Sequence, residues 1–196
     1  KAQVHTPEDL EALSSLVKSH PSGIRPVGSG HSWMPLVPSK TAIVKLDHFG
    51  GVGEIYGETQ QAWLGAGGRL HDLSPELADK GYAFRNLGDI DVQTLAGATS
   101  TGTHGTGETL QALAAEIQGL RLVTGTGEHI EISADQNADW LDGGRVALGA
   151  LGILTEIKMQ LVERFKLHRQ VWPESHKHTL ENAERYWREN RNFEFF

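Results

Sequence analysis

The spacing of apolar and polar positions changes period several times along the chain, and each change marks an element. Leu10, Leu13, Leu16 and Val17 recur on one face, which predicts a helix running to about Ser19. Thr6 reads as its N-cap, Pro7 as its first helical residue, and Glu8 and Asp9 as acids in its first turn. Pro21-Ser22-Gly23 ends it. Short apolar runs at Ile24–Val27 and Ala42–Leu46 read as strands, the second followed by a turn at Gly50-Gly51. Gly53–Gly57 and Gln61–Gly65 read as an antiparallel pair. Helical spacing returns from Arg69 to Lys80 and stops at Gly81.

Leu87–Leu95 carries no regular period and leads into a run of small residues. Glu116–Val123 and His129–Ile132 predict a hairpin around Thr124–Gly127. Asn137–Leu141 predicts a short helix, and Ala147–Leu154 leads into a strand reaching Val162. From Glu163 basic residues rise and glycine disappears. Glu174–Glu189 reads as an exposed helix, and Asn192–Phe196 has the alternation of a strand. Mixed strands with interspersed helices predict an α+β fold rather than a doubly wound array. The composition shift near Val162 predicts two domains, 1–162 and 163–196. The start at Lys1 and the aromatic finish predict a fragment of a longer protein, incomplete at its N-terminal side and truncated in its second domain.

Composition narrows the classes. An apolar fraction of 38% supports a packed core, and the 23 glycines follow no short period. A formal net charge of −7 argues against a nucleic-acid-binding surface. No cysteine is present, so neither a disulfide framework nor a thiolate metal site exists, which fits a cytoplasmic protein. No apolar run approaches the ~20 residues of a membrane span.

The chemistry concentrates in two small-residue runs, Arg25-Pro-Val-Gly-Ser-Gly-His-Ser-Trp33 and Ala96-Gly-Ala-Thr-Ser-Thr-Gly-Thr-His-Gly-Thr-Gly107. Glycine permits close backbone approach, and successive N–H groups can form an anion-binding nest. Neither run contains lysine, so a phosphate held there is held by amides and hydroxyls. The common nucleotide signatures are absent. Gly97–Gly102 has P-loop spacing but is followed by Thr103 rather than Lys, and Gly28–Trp33 puts Trp where the dinucleotide fingerprint needs its third glycine. Gly30-His-Ser-Trp-Met34 imitates a hydrolase nucleophile elbow around Ser32, but Met34 breaks it. His31 and His104 are each either loop histidines capping a backbone carbonyl or cofactor-lining groups. Asp89 and Asp91 are either turn formers or an acid/base pair. His176 and His178 read as solvated and without a partner, and Trp33, Trp63 and Trp140 as packing residues.

In order, Arg25–Ser32, Gly88–Gly107 and Leu148–Ile157 resemble the FAD-binding domain of vanillyl-alcohol-oxidase-type (PCMH) flavoproteins. The branch they resemble is that of the sugar-1,4-lactone oxidases, acting on gulonolactone and arabinonolactone, with the alditol oxidases nearby. The resemblance implies a two-subdomain α+β FAD-binding domain followed by the start of a substrate (cap) domain. It implies that Val27, Gly28, Ser29, Gly30, His31 and Ser32, with Gly97, Ala98, Thr99, Ser100, Gly102, Thr103, His104 and Gly105, cradle the diphosphate and ribityl chain. Gly149, Gly152 and Ile153 would line the adenine side, and His31 would attach covalently to the flavin 8α-methyl. The implied reaction oxidises an alcohol group of a sugar lactone or polyol, with oxygen as acceptor and no catalytic base assignable within this chain. The remaining substrate domain would lie in the same or another chain. The reading from the residues alone leaves a different class open: a non-catalytic module holding a nucleotide or anion in its glycine loops.

Overall fold

The computed structural model describes residues 2–32 and 34–196; the packing expectation for Trp33 lies outside the described residues. Among the described residues the chain forms three sheets, the two larger of which meet along one seam. The smaller sheet holds β1 (Gln3–His5), β2 (Ile24–Val27) and β3 (Ala42–Lys45) in the order β1-β3-β2, all parallel. Helix α1 (Leu10–Ser19) joins β1 to β2 and buries Leu13 and Val17. Its cap differs from the sequence reading. The Asp9 carboxylate accepts from the Ala12 N–H at 2.8 Å, so the helix begins at Leu10. Asp outcompetes the earlier Thr because it lies immediately before the first apolar helical position. The strand β1 carries too few residues to show a period.

The larger sheet is antiparallel and has the order β4-β5-β9-β7-β8. Its strands are β4 (Val52–Tyr56), β5 (Gln61–Gly65), β7 (Ile117–Val123), β8 (His129–Ser133) and β9 (Ile153–Gln160). The central β9 alternates strictly, with Ile153, Thr155, Ile157 and Met159 buried. That alternation is what one solvated face and one core face demand. On the core face lie α2 (Leu70–Asp79), which buries Leu70, Leu73 and Leu77, and α3 (Leu95–Ser100). On the opposite face Trp63 is 2% exposed, with the Arg121 guanidinium 4.0 Å from its ring centroid.

A second, smaller core contains Leu13, Val17, Val44 and Leu46 together with Val123 and Ile153. It glues the parallel sheet and α1 to the ends of β7 and β9. The fold is therefore α+β, with two subdomains sharing a seam.

Beyond the large sheet, β10 (Val162–Glu163) pairs antiparallel with β6 (Tyr82–Ala83). Short turns of 3-10 helix at Leu113–Glu116 and Ala138–Trp140 precede β7 and α4 (Leu141–Arg145). Helix α5 (His176–Glu189) is capped by Ser175. His178 has a partner, Glu174, with Nε2 3.5 Å from its Oε1. Residues 192–196 form no strand. Their side chains dock instead, Asn192 Nδ2 donating to the Thr106 carbonyl at 2.7 Å and Phe193 packing on Tyr186.

Candidate cofactor site

The seam between the two sheets opens into a cavity of about 500 Å³. It lies at the carboxyl ends of the parallel strands β2 and β3, where Val27 gives way to the first glycine run and Lys45 to Leu46 and Asp47. Strand ends of this kind are where α/β-type sheets leave room for ligands, because the connections diverge there.

Three sequence-distant segments form its walls. Residues Val27 to Ser32 form the first, residues 92–101 the second, and the turn and strand start from Gly144 to Leu154 supply the third. Specific contacts lock them together. Ser29 Oγ donates to the Val92 carbonyl. Gly28 lies so close to Thr94 that a Cβ on it would overlap the Thr94 hydroxyl. The Arg25 guanidinium donates from Nη1 to the Leu148 carbonyl at 3.2 Å.

The second run departs from the expected loop. Its first half is α3, and the N–H groups at that helix's start are already engaged. Leu95 N–H donates to Gly68 O at 2.8 Å, Ala96 N–H to Ala66 O at 2.9 Å, and Ala98 N–H to Thr94 O at 2.9 Å. Gly97 N–H donates to the capping Thr94 hydroxyl at 3.2 Å. Gly102 and Thr103 donate back to Thr99 and Ala98. A nest needs free donors, so the part of this run that reaches the cavity, Ala96 to Thr101, presents hydroxyls and a helix surface instead. In the first run, among the described residues, the N–H groups of Ser29, Gly30, His31 and Ser32 have no backbone partner.

The structure brings Val27, Gly28, Ser29, Gly30, His31, Ser32, Gly97, Ser100, Gly149 and Gly152 to one cavity. It does not bring all the nominated residues there. Ala98 and Thr99 turn into the core at 0% exposure, where the Thr99 hydroxyl donates to the Leu95 carbonyl at 2.9 Å. Ile153 is buried in the seam core. Past α3 the chain turns away from the wall: Gly102, Thr103, His104 and Gly105 do not line the cavity, Thr103 and His104 lying against Gly88 and Gly105 against Asn86 and Leu87. There Thr103 Oγ1 accepts from Gln93 at 3.2 Å, and His104 Nδ1 lies 2.9 Å from the Gly105 carbonyl oxygen. Asp89 and Asp91 also lie outside the wall. Asp91 sits 3.8 Å from His71, and Asp89 faces Glu194.

Sequence reasoning missed several lining groups. Among the described residues, Arg25, Lys45 and Arg69 place three cations on the wall against one carboxylate, Asp47. Arg25 opens the first run from within β2, while Lys45 ends β3 and Arg69 precedes α2, so the absence of lysine from the two runs did not make the cavity neutral. Thr94 was detectable: a Thr immediately before the apolar Leu95 is an N-cap signal.

Fold and cavity together define a ligand cleft at the junction of two subdomains, its wall carrying glycine backbone, hydroxyls and the cations Arg25, Lys45 and Arg69. Comparison with known proteins gives the class its identity. The family described as FAD binding domain matches residues 2–133. The chain is 38% identical over 173 residues to L-gulono-1,4-lactone dehydrogenase of Mycobacterium tuberculosis, covering 88% of this chain and 40% of that protein. It is 29% identical over 188 residues to L-gulonolactone oxidase of Bos taurus, covering 96% of this chain and 43% of that protein. Among solved structures, a chitooligosaccharide oxidase superposes with a TM-score of 0.73 at 21% identity, over 82% of this chain and 35% of the other. The chain belongs to the FAD-binding-domain family, and FAD is its cofactor. It spans about 40% of the length of the relatives it matches.

The residues present fit FAD. The cavity volume lies inside the ~300–1,000 Å³ range of small-molecule sites. Free amides at 29–32 and hydroxyls at Ser32, Ser100 and Thr101 suit a diphosphate and a polyol chain. Leu36, Leu148, Leu151 and Leu154 offer apolar surface to aromatic rings.

Proposed function

We propose that this chain is the cofactor-holding part of an FAD-dependent oxidoreductase that oxidises an alcohol group of a sugar-1,4-lactone or a related polyol. The observation that carries this reading is the convergence of the Arg25–Ser32, Val92–Thr101 and Ala147–Gly152 segments on one cavity. The names of the lactone-oxidising relatives supply the substrate class.

Bound FAD supplies the two-electron acceptor for a hydride from the carbinol carbon. The chain's own residues bind and orient it. The amides of Ser29 to Ser32 would hold the diphosphate, with Lys45 and Arg69 adding positive potential along the wall. The Ser100 and Thr101 hydroxyls would take the ribityl chain, and Gly149 and Gly152 would let backbone approach the adenine. His31 is exposed on the cavity wall, and we assign it the covalent link: a ring nitrogen would take the place of one hydrogen of the flavin 8α-methyl group, with both protons going to water and the two electrons released passing through the flavin to oxygen. We place the base that takes the substrate's hydroxyl proton outside this chain, in a substrate domain that residues 163–196 begin. Oxygen is the acceptor we assign; the relatives' names divide between oxidase and dehydrogenase.

Acid precipitation of the full-length holoprotein tests the assignment directly. Flavin absorbance should stay with the pellet, and His31→Ala should release it into the supernatant. L-Gulono-1,4-lactone should bleach the bound flavin without oxygen, and an oxygen electrode should then report turnover in air. A protein that holds FAD reversibly and turns over no lactone or polyol would instead be a non-catalytic nucleotide-binding module.

A further inference from the structure

Ala147, Leu148, Gly149 and Ala150 form a closed turn, with Ala150 N–H donating to the Ala147 carbonyl at 2.9 Å. Both central residues have positive φ, 51° at Leu148 and 82° at Gly149. Those signs belong to the type I′ turn, whose first central position is normally Asn, Asp or Gly. Leucine is a poor occupant, because its Cβ crowds the backbone in the left-handed region. The sequence alone would therefore let this turn relax to another shape. Nonetheless Ala147, Leu148 and Gly149 all line the cavity, and Leu148 is half exposed there.

One side chain holds the turn from across the seam. Arg25 lies on β2, 123 residues earlier, and its Nη1 donates to the Leu148 carbonyl at 3.2 Å. A Cβ on Gly149 would stand 3.7 Å from the same nitrogen and 3.6 Å from Pro26 Cγ. The turn's first central carbonyl is thus fixed by a charged donor, and its second residue lies beside the same strand.

We propose that Arg25 is a positioning residue: it latches the Ala147–Ala150 turn through the Leu148 carbonyl into the shape that walls the FAD cavity. The proposal rests on the flavin reading above. Arg25 acts on the cofactor through the turn, by removing conformations that would otherwise have to be lost on binding. Direct attraction between its charge and the diphosphate is the rival account, and the two separate cleanly.

The test is a double-mutant cycle on the full-length protein in a His31→Ala background, where flavin exchanges. FAD affinity is read from quenching of flavin fluorescence on titration into apoprotein. Arg25→Met should weaken FAD about tenfold, the scale of losing one hydrogen bond to a charged donor. Leu148→Asn places a residue that favours the turn at its first central position. In that background the same Arg25→Met change should cost less than about threefold, because the turn no longer needs the latch. Should Arg25→Met fail to fold, Arg25→Gln replaces it in the same cycle. An equal penalty in both backgrounds, with Arg25→Lys binding like the parent in each, would overturn the latch in favour of direct charge attraction. A parent protein that binds no FAD would sink the flavin reading itself, and the latch with it.

Discussion

Gly28 and Thr94 touch so closely that any side chain at position 28 would occupy the space of the Thr94 hydroxyl. That hydroxyl accepts from Gly97 N–H at 3.2 Å and so caps α3. One contact therefore ties the first glycine run to the helix that forms the opposite wall.

Gly28→Ala should consequently do more than add a methyl group. It must push Thr94 off its cap or push the loop outward, and either movement changes the cavity. We expect FAD affinity to fall by at least about tenfold, with a cap loss of about 1 kcal/mol visible as a lower melting temperature. Thr94→Ala alone should show the cap loss. Combined with Gly28→Ala it should recover part of the affinity, since the overlap is gone. Additive losses in the flavin titration would show that the two residues do not share a space.

The start of α1 offers a sharp discrimination. Asp9→Ala should destabilise the protein by about 1 kcal/mol, because the Ala12 N–H loses its 2.8 Å acceptor. Thr6→Ala should leave the α1 cap intact. Urea denaturation of both variants checks this, and a larger loss at position 6 would put the cap back where the sequence pattern suggested it.

Much of this fold was legible because its strands and helices bury one face each. The Leu10, Leu13, Val17 spacing and the alternation of Ile153, Thr155, Ile157 and Met159 announce their elements directly. The three-residue β1 could not, since its stability comes from pairing with Gln3 opposite Ala42 rather than from its own pattern. Helix α3 was hidden for a different reason. Leu-Ala-Gly-Ala-Thr-Ser is only six residues long and mixes good helix formers with Gly, Thr and Ser, and its first N–H groups are satisfied by Gly68, Ala66 and Thr94, partners set by tertiary structure. The site followed the same division. The first glycine run names its place in the cavity, whereas Lys45 and Arg69 reach the wall only because β3 and the start of α2 end there. The terminal residues 192–196 look like a strand, yet they find side-chain partners in Asn86, Thr106 and Tyr186 before any ladder.

Arg121 holds the outer face of the large sheet. It pairs with Glu131 at 2.9 Å and Glu156 at 3.1 Å while lying over Trp63. One arginine thus links strands β8, β7, β9 and β5. Arg121→Met should cost about 1–2 kcal/mol, more than a lone surface pair, because the aromatic contact and two carboxylates are lost together. Chemical denaturation gives the number. Flavin affinity should be unchanged, since Arg121 does not line the cavity; a selective loss of flavin binding would contradict that separation.

Two carboxylates of the C-terminal segment, Glu174 and Glu194, should respond to pH in opposite directions. Burial alone would push Glu174 upward. Tyr186 and Thr179, each donating to it at 2.9 Å, and the nearby His178 outweigh that and hold it below the ordinary range. Its stabilisation is therefore present above the unfolded value of about 4.3 and disappears as pH falls through the lower folded value. Glu194 is raised, first by burial and then by the charge of Asp89 and a hydrogen bond with it. Its ionised form is the unfavourable one in the folded state. That penalty holds at neutral pH and lifts as the solution is acidified through the raised value. Glu174→Gln should accordingly lower the melting temperature at about pH 7, and Glu194→Gln should raise it. Both differences should shrink toward zero in acid, once the native carboxyls carry protons like the amides that replaced them. Melting curves of the two variants across that range decide the matter, and shifts of the same sign at neutral pH would refute the opposed roles.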